Sequence, residues 1–448
     1  MVASCNDHDR IQHQSDSAPI APIAREPSTP TRAHRSLAYL PHLAPPTSTP
    51  SQPAMDPLEG DQIASISEPG VRAEGQLLFT MRREVAELLG RHQTGFPGAQ
   101  PVSFARKHLD ELTKQDYYVC EKSDGIRYLL YSTEDEAGAE VHYLIDRKND
   151  YWFITNRNLH FPLESDASAF HSATLIDGEL VWDSLPSGKK EPRFLVFDCL
   201  VMDGNKLMDR TLDKRLAYFK ERLYTPYKKL FKDFPDELRY QPFFVEMKPF
   251  QLGYGIEMMF KQVLPGLKHG NDGLIFTCRN TPYKHGTDPH ILKWKPPEEN
   301  TIDFRLKLHF PLVEPDEEER REGILEPFID YDSVPHAELL VFRGDSGPER
   351  YEAFNDLHLT EEEWEILKSL GDPLNDRVIE CNLDDEGRWR MIRFRDDKSE
   401  ANHKSTVTSV LESINDRVCD QDLLRAASTI RDSWKARQAA EQDAKRGR

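Results

Sequence analysis

The stretch Val119–Leu130, "VCEKSDGIRYLL", decides how the chain is read. Two apolar runs flank a lysine, an aspartate-glycine pair and an arginine. Asp-Gly is a turn signal, and the flanking runs have the length and composition of strands. Taken alone, this is an ordinary solvated turn. Lys122 and Arg127 give it a second reading: a lysine held as a nucleophile, with a cation five residues on to grip what it attacks. The rest of the chain separates the two.

Further charged residues recur at strand ends in a definite order. "LIDRKND" offers Asp146 and Arg147, and "LIDGELVW" sets Asp177 and Glu179 around Gly178. "FLVFDCL" puts Phe197 and Asp198 in a strand, and "NDGLIFT" offers Asp272. "ILKWKP" places Lys293 and Lys295 on one strand face, two residues apart. "RFRDDKSEAN" supplies Arg393, Arg395, Asp397 and Lys398. A lysine attacks phosphorus only as the free amine, and an unperturbed lysine, with pKa ~10.4, is roughly one part in a thousand neutral near pH 7.4. Neighbouring cations and partial burial favour the free amine. Arg127, Arg147, Lys293 and Lys295 are the candidates for that positive field. Asp146 and Asp198 read as structural partners of nearby cations. His171, His269 and His285 have no ligand spacing and receive no role.

The chain has 448 residues, enough for two or three domains with real cores. With 58 basic and 77 acidic residues its net charge is −19, which argues against coating nucleic acid by bulk charge and leaves room for a local basic cleft. No apolar run approaches the ~20 residues of a membrane span. Six scattered cysteines form no CxxC pair, so a reducing compartment is expected. Residues 1–54 are rich in Pro, Ser, Thr and Ala without an apolar period and are expected to be a disordered extension. Residues 55–300 mix strands and helices without regular alternation, which predicts α+β with a largely antiparallel sheet. From 301 to 404 the pattern changes. "TIDFRLKLHF" alternates strictly, and about five strands with one helix between the third and fourth predict an OB-fold barrel. The acidic "EPDEEERREG" reads as a solvated excursion. Residues 405–440 are expected to be one amphipathic helical segment, with Val407, Val410, Leu411, Ile414 and Val418 as its stripe, packing back on the first domain; 441–448 read as a disordered tail.

The ordered set of motifs resembles the covalent nucleotidyltransferases, the polynucleotide ligases and mRNA capping enzymes. Within them it is similar to the mRNA guanylyltransferases of the stand-alone fungal type, over roughly residues 57–425. "FPGAQPVSF" (Phe96–Phe104) and "EKSDGIR" are near-literal matches, and Ala401 departs from a proline found in many relatives. The resemblance implies a nucleotidyltransferase domain followed by the barrel. It also implies transfer of GMP from GTP through a lysyl adduct on Lys122 to a 5′-diphosphate RNA end, with Mg²⁺ or Mn²⁺. It gives Arg127 and Glu179 to the ribose, Phe197 to the guanine face and Lys293 and Lys295 to the α-phosphate. Asp272, with Glu179, is assigned to metal, and Arg395 and Lys398 to the leaving pyrophosphate. Arg147, Asp177, Gly178, Trp294, Arg393 and Asp397 complete the expected GTP site. A separate RNA 5′-triphosphatase subunit, the phosphorylated tail of RNA polymerase II and a nuclear location are implied in the same way. Two alternatives stand beside this reading. One is an ATP-dependent ligase, against which Asp272-Gly273 replaces the usual glutamate-glycine; the other is a non-catalytic module on the same scaffold, against which the three lysines are intact.

Overall fold

The computed structural model describes residues 68–446 apart from 157, 324, 345, 346 and 348. The extension expected at 1–54 lies outside the described residues.

The "SDG" turn is not a hairpin. It carries the chain from one sheet to another. The strand Tyr117–Ser123 lies inside a five-stranded sheet, between Gln251–Leu252 and Asn271–Cys278. The next strand, Ile126–Glu134, lies inside an eight-stranded sheet, between Glu140–Ile145 and Thr174–Ser184. Lys122 therefore ends a strand of one sheet, and Arg127 begins a strand of the other.

Most pairings are antiparallel, as expected. The sheets are nonetheless mixed, because Phe244–Met247 joins Lys190–Met202 in parallel and Ala99–Ser103 joins Gly286–Trp294 in parallel. Period-2 patterning sets which face is buried but says nothing about strand direction. Two cores fill the faces of the large sheet. One is centred on Phe161, Phe194, Phe219 and Phe243, and the other on Met81, Val85, Leu129, Tyr131 and Leu200. Burying each such side chain contributes roughly 1.5–3 kcal/mol.

Residues beyond 300 form a closed barrel of five strands: Ile302–His309, His336–Phe342, Tyr351–Leu357, Val378–Leu383 and Trp389–Phe394. A helix, Glu361–Ser369, lies between the third and fourth strands and starts on the Thr360–Glu363 capping box. The alternation of 302–310 puts Ile302, Phe304, Leu306 and Leu308 inside. Phe304 stacks on Phe354 and meets the edge of Trp389, each at 5.1 Å between centroids. The acidic excursion is more ordered than expected: Asp316 and Glu319 cap a short helix, Glu317–Arg321, and a two-stranded ladder spans 312–313 and 328–329.

The C-terminal segment also differs from expectation. It is two helices, Lys404–Asp416 and Asp420–Arg446, broken at Arg417 in the left-handed region. The expected stripe is divided between two cores. Val407, Val410, Leu411 and Ile414 pack into the barrel, whereas Val418 joins Leu423 and Ile430 on the five-stranded sheet. The second helix runs to Arg446, into the segment expected to be a disordered tail, because Ala, Glu, Gln, Lys and Arg are strong helix formers without needing an apolar stripe. Arg437 ties it to Asp116 at 2.8 Å.

Candidate active site

Two connected cavities meet at Lys122. The smaller, about 120 Å³, is lined by Lys122, Arg127, Glu179, Phe197, Lys248 and Tyr283. The larger cleft, about 690 Å³, has Lys122, Asp272, Lys293 and Lys295 on one wall and Asp303, Arg393, Arg395 and Lys398 of the barrel on the other. Arg147 borders both.

Local irregularities aim the side chains. The pairing of Asn271–Cys278 with Tyr117–Ser123 slips between Asn271 and Leu274, so Asp272 and Gly273 bulge out of the ladder. Gly273 has φ +132, and a Cβ there would lie 2.1 Å from the Trp294 carbonyl oxygen, so only glycine fits. The bulge delivers Asp272 to the lysines: Lys122 Nζ donates to Oδ1 at 2.5 Å, and Lys295 Nζ lies 2.7 Å from Oδ2. Burial opposes ionisation of Asp272, but Lys122 and then Lys295 outweigh it and hold its carboxyl below the usual range. Lys293, paired in register with Ile275, is held down to about 8, first by burial and then by the amines of Lys122 and Lys295.

A second slip, between Val196 and Asp198, takes Phe197 out of its ladder. Its ring is half-buried in the pocket wall, unlike the fully buried core residue Phe194. Asp198, at the same pocket, is held by Arg215, whose Nε and Nη2 donate to it at 2.7 and 2.8 Å. It is thus the structural partner expected. Asp146 instead accepts from the amides of Lys148 and Asp150 and from Trp152 Nε1, closing its own loop rather than pairing a cation there.

Arg127 is fixed on all sides. Nε and Nη2 donate to Asp177 at 2.9 and 2.5 Å, Nη1 donates to the Ala99 carbonyl, and Tyr283 closes the group with its hydroxyl 2.7 Å from Asp177. Its guanidinium carbon sits 5.4 Å from the Phe197 ring centre and 5.9 Å from that of Phe96. The run "FPGAQ" is explained by this contact: a Cβ on Gly98 would lie 2.3 Å from the Phe96 ring and 3.2 Å from Arg127 Nη2.

Some expected site residues lie elsewhere. Trp294 turns away from both cavities, packs against Phe260 and donates to the Val418 carbonyl at 2.7 Å. Gly178 is packed under Phe194. Asp177 is fully buried and reaches the pocket through Arg127 and Tyr283. Asp397 is an exposed partner of Arg395. Sequence reasoning passed over Lys248, Tyr283 and Asp303. Asp303 receives Arg395 Nη1 at 2.9 Å and also Lys398 and Asn402. Its visible signal was an acid opening the first barrel strand. Lys248 is 2% exposed, and a lysine closing the apolar strand "FFVEMK" was its signal. Of the carboxylates expected at metal, Asp272 faces the large cleft and Glu179 the small pocket. Among the described residues no three His, Cys, Asp or Glu side chains form a metal-holding group.

A lysine at the junction of a small aromatic-walled pocket and a cationic cleft suits attack on a nucleotide phosphorus. Solved structures include a mycobacterial DNA ligase D complexed with ATP and MES, which covers 69% of this chain and 98% of its own at 16% identity and TM-score 0.32, too loose a likeness to bear on the site. The mRNA-capping enzyme subunit alpha of Neurospora crassa is 62% identical over 381 residues, 84% of this chain and 95% of that protein. Its namesake in Schizosaccharomyces pombe is 47% identical over 385 residues, 85% of this chain and 91% of that protein. The family model for the mRNA capping enzyme catalytic domain matches residues 59–297, and the one for its C-terminal domain matches 299–424. With both halves matched in order, and the candidate lysine within the first, the chain belongs to the mRNA capping enzyme family.

Proposed function

We propose that this protein is the GTP:RNA guanylyltransferase of mRNA capping, acting through a covalent adduct on Lys122. The observation that carries it is the junction itself: Lys122 borders both a small pocket walled by Phe197 and Arg127 and a cleft lined by Lys293, Lys295, Arg393, Arg395 and Lys398. In the first step the Lys122 nitrogen attacks the α-phosphorus of GTP. The N–P bond forms, the bond to pyrophosphate breaks, and Asp272 Oδ1, 2.5 Å from the nitrogen, is placed to take the proton. In the second, a terminal phosphate oxygen of 5′-diphosphate RNA attacks the same phosphorus and displaces the lysine. Phe197 and Arg127 wall the nucleoside, and stacking on such a ring is worth about 1–3 kcal/mol. Lys293 and Lys295 neutralise the α-phosphate, while Arg395 and Lys398 meet the leaving pyrophosphate. Asp272 suits a Mg²⁺ or Mn²⁺ ion, since such ions are held by one or two carboxylates plus substrate phosphates, and the ion would supply further charge neutralisation.

The domains proposed are a nucleotidyltransferase domain at 55–300, an OB-fold domain at 301–404 and the helices that follow. Five closed strands with a helix between the third and fourth support the OB reading. The relatives' name, subunit alpha, supports a companion subunit, for which an RNA 5′-triphosphatase fits the chemistry. The phosphorylated polymerase II tail and the nucleus follow from acting on nascent mRNA. No described helix is long and apolar enough to cross a membrane. The test is to incubate the protein with α-labelled GTP or ATP and metal, then separate it under denaturing conditions. Label from GTP alone is expected; label from ATP, or none, overturns the reading.

A further inference from the structure

A row of alternating charges runs from Arg193 on the large sheet to the nucleoside pocket. Arg193 Nε lies 2.7 Å from Asp183 Oδ2, and Asp183 Oδ1 lies 2.7 Å from His269 Nδ1. His269 Nε2 is 3.8 Å from Glu121 Oε1, which is 3.5 Å from Lys248 Nζ, and that ammonium is 3.7 Å from Glu179 Oε2. Lys248 and Glu179 line the pocket, and the Lys248 ammonium sits 5.9 Å from the Phe197 ring centre.

The link between His269 and Glu121 is incomplete. Nε2 of the histidine and Oε2 of the glutamate are both buried without a hydrogen-bond partner, and 3.8 Å is too long for a hydrogen bond. Lys248 donates one good hydrogen bond, to Ser123 Oγ at 2.7 Å. Beyond it, the ammonium is shared almost equally between Glu121 and Glu179. A cation between two carboxylates is placed by whichever carries more unbalanced charge. The balance at Glu121 depends on His269, because the groups facing the imidazole are Asp183 and Glu121, with Arg193 behind the first and Lys248 behind the second. Burial works against a charged imidazole here, but the two acids outweigh it and raise its pKa. The loop cannot carry the ring away easily, since its carbonyls at Lys268 and Gly270 accept from Ser184 and Asp124 amides at 2.8 Å.

We propose that His269 is a positioning residue for the nucleotide. Charged, it neutralises Glu121 and leaves Lys248 to face Glu179 and the nucleoside; neutral, it lets Glu121 draw Lys248 back from the pocket. The inference rests on the guanylyltransferase reading and adds to it a residue outside both cavities.

The test is covalent labelling from GTP by wild type and His269→Gln, between about pH 6 and about pH 9, a range spanning the imidazole and beyond. At the acid end the variant should show an apparent KM for GTP roughly fivefold or more above wild type, with the limiting rate within about twofold. With rising pH the wild-type KM should climb to meet the variant's. A ratio that ignores pH, or equal KM throughout, overturns the proposal. Wild type alone offers a second check: by reciprocal linkage, GTP added without metal must raise the His269 pKa in an NMR titration of its ring proton. An unmoved pKa overturns the proposal while leaving labelling intact. Absence of label from wild type fails the guanylyltransferase reading and this inference together.

Discussion

The two walls of the site hold their cations with different firmness. In the nucleoside pocket Arg127 is 9% exposed and its guanidinium is bound by Asp177, Ala99 and Tyr283 before any substrate arrives. On the barrel, Arg395 and Lys398 share the buried carboxylate of Asp303, 7% exposed, but Arg395 spends its Nη2 on Asp397, which is 63% exposed, and Lys398 is itself one-third exposed. A buried, fully bonded cation is a fixed wall, and its pairing cannot be exchanged without exposing a charge to low dielectric. The bond from Arg395 to exposed Asp397 is a solvated pair, which contributes about 0–1 kcal/mol and is exchanged cheaply for a phosphate. On the proposed guanylyltransferase reading, the catalytic lobe is preorganised for the nucleoside, while the barrel holds cations that a polyphosphate can draw away from Asp397.

The largest effect lies where the walls meet. Lys122→Ala should abolish covalent GMP labelling with the melting temperature nearly unchanged, since no core side chain is lost. Lys122→Arg should fail as well, because a guanidinium stays charged. Full labelling by either variant would remove the mechanism. Asp177→Asn tests the fixed wall. It strands Arg127 as a buried unpaired charge, and about 3–5 kcal/mol of unfolding free energy should disappear in urea titrations. A loss under about 1 kcal/mol would mean that the pocket is no more fixed than the barrel.

How much of this contrast was legible in the sequence follows from what sequence patterns encode. Lys122, Arg127, Lys293 and Lys295 were visible because strand alternation and motif order place them without knowledge of sheet pairing. The barrel was visible because 302–310 alternates without a break. What patterns do not encode is register. The slips at Phe197 and at Asp272–Gly273 decide which side chains enter the site, and only Gly273 hinted at one. Trp294 was grouped with its lysine neighbours, yet strand alternation sends it to the opposite face, against Phe260. The helical stripe after 404 looked continuous because Val418 falls in phase with Val407 and Val410, although the chain breaks at Arg417 and passes from one core to another. Lys248 and Asp303 are buried charges whose partners come from distant strands, and such pairings leave no local signal.

The exchangeable wall is tested by separating the two chemical steps. Arg395→Ala or Lys398→Ala should slow adduct formation from GTP by about 2–4 kcal/mol of barrier, roughly thirty- to a thousand-fold. Transfer of GMP to RNA from isolated adduct should slow far less, since pyrophosphate is absent from that step. Asp303 keeps one cation and Asn402 in either variant, so the loss of stability in urea should stay below the about 3–5 kcal/mol expected for Asp177→Asn. Equal slowing of both steps would show that these cations do not act on the leaving group, and the contrast between walls would lose its functional meaning.

The finest test concerns Lys293, which belongs to the preorganised lobe yet is held there at a cost. Its pKa falls from the ordinary 10.5 to about 8, chiefly through burial and then through the neighbouring amines. Between those two values the unfolded chain holds the proton and the folded chain does not, so stability rises with pH across that window. Below about pH 8 both states are protonated and the penalty is constant, up to about 3 kcal/mol less what cleft water screens. Lys293→Met should therefore stabilise the protein at pH 7 while lowering labelling. The stability gap between variant and wild type should close as pH climbs from about 8 towards 10.5. A variant less stable than wild type at pH 7 would mean that the lysine is anchored by its packing. A gap that did not change with pH would mean that its charge is paired in the folded chain, and that this wall carries no stored repulsion for a phosphate to relieve.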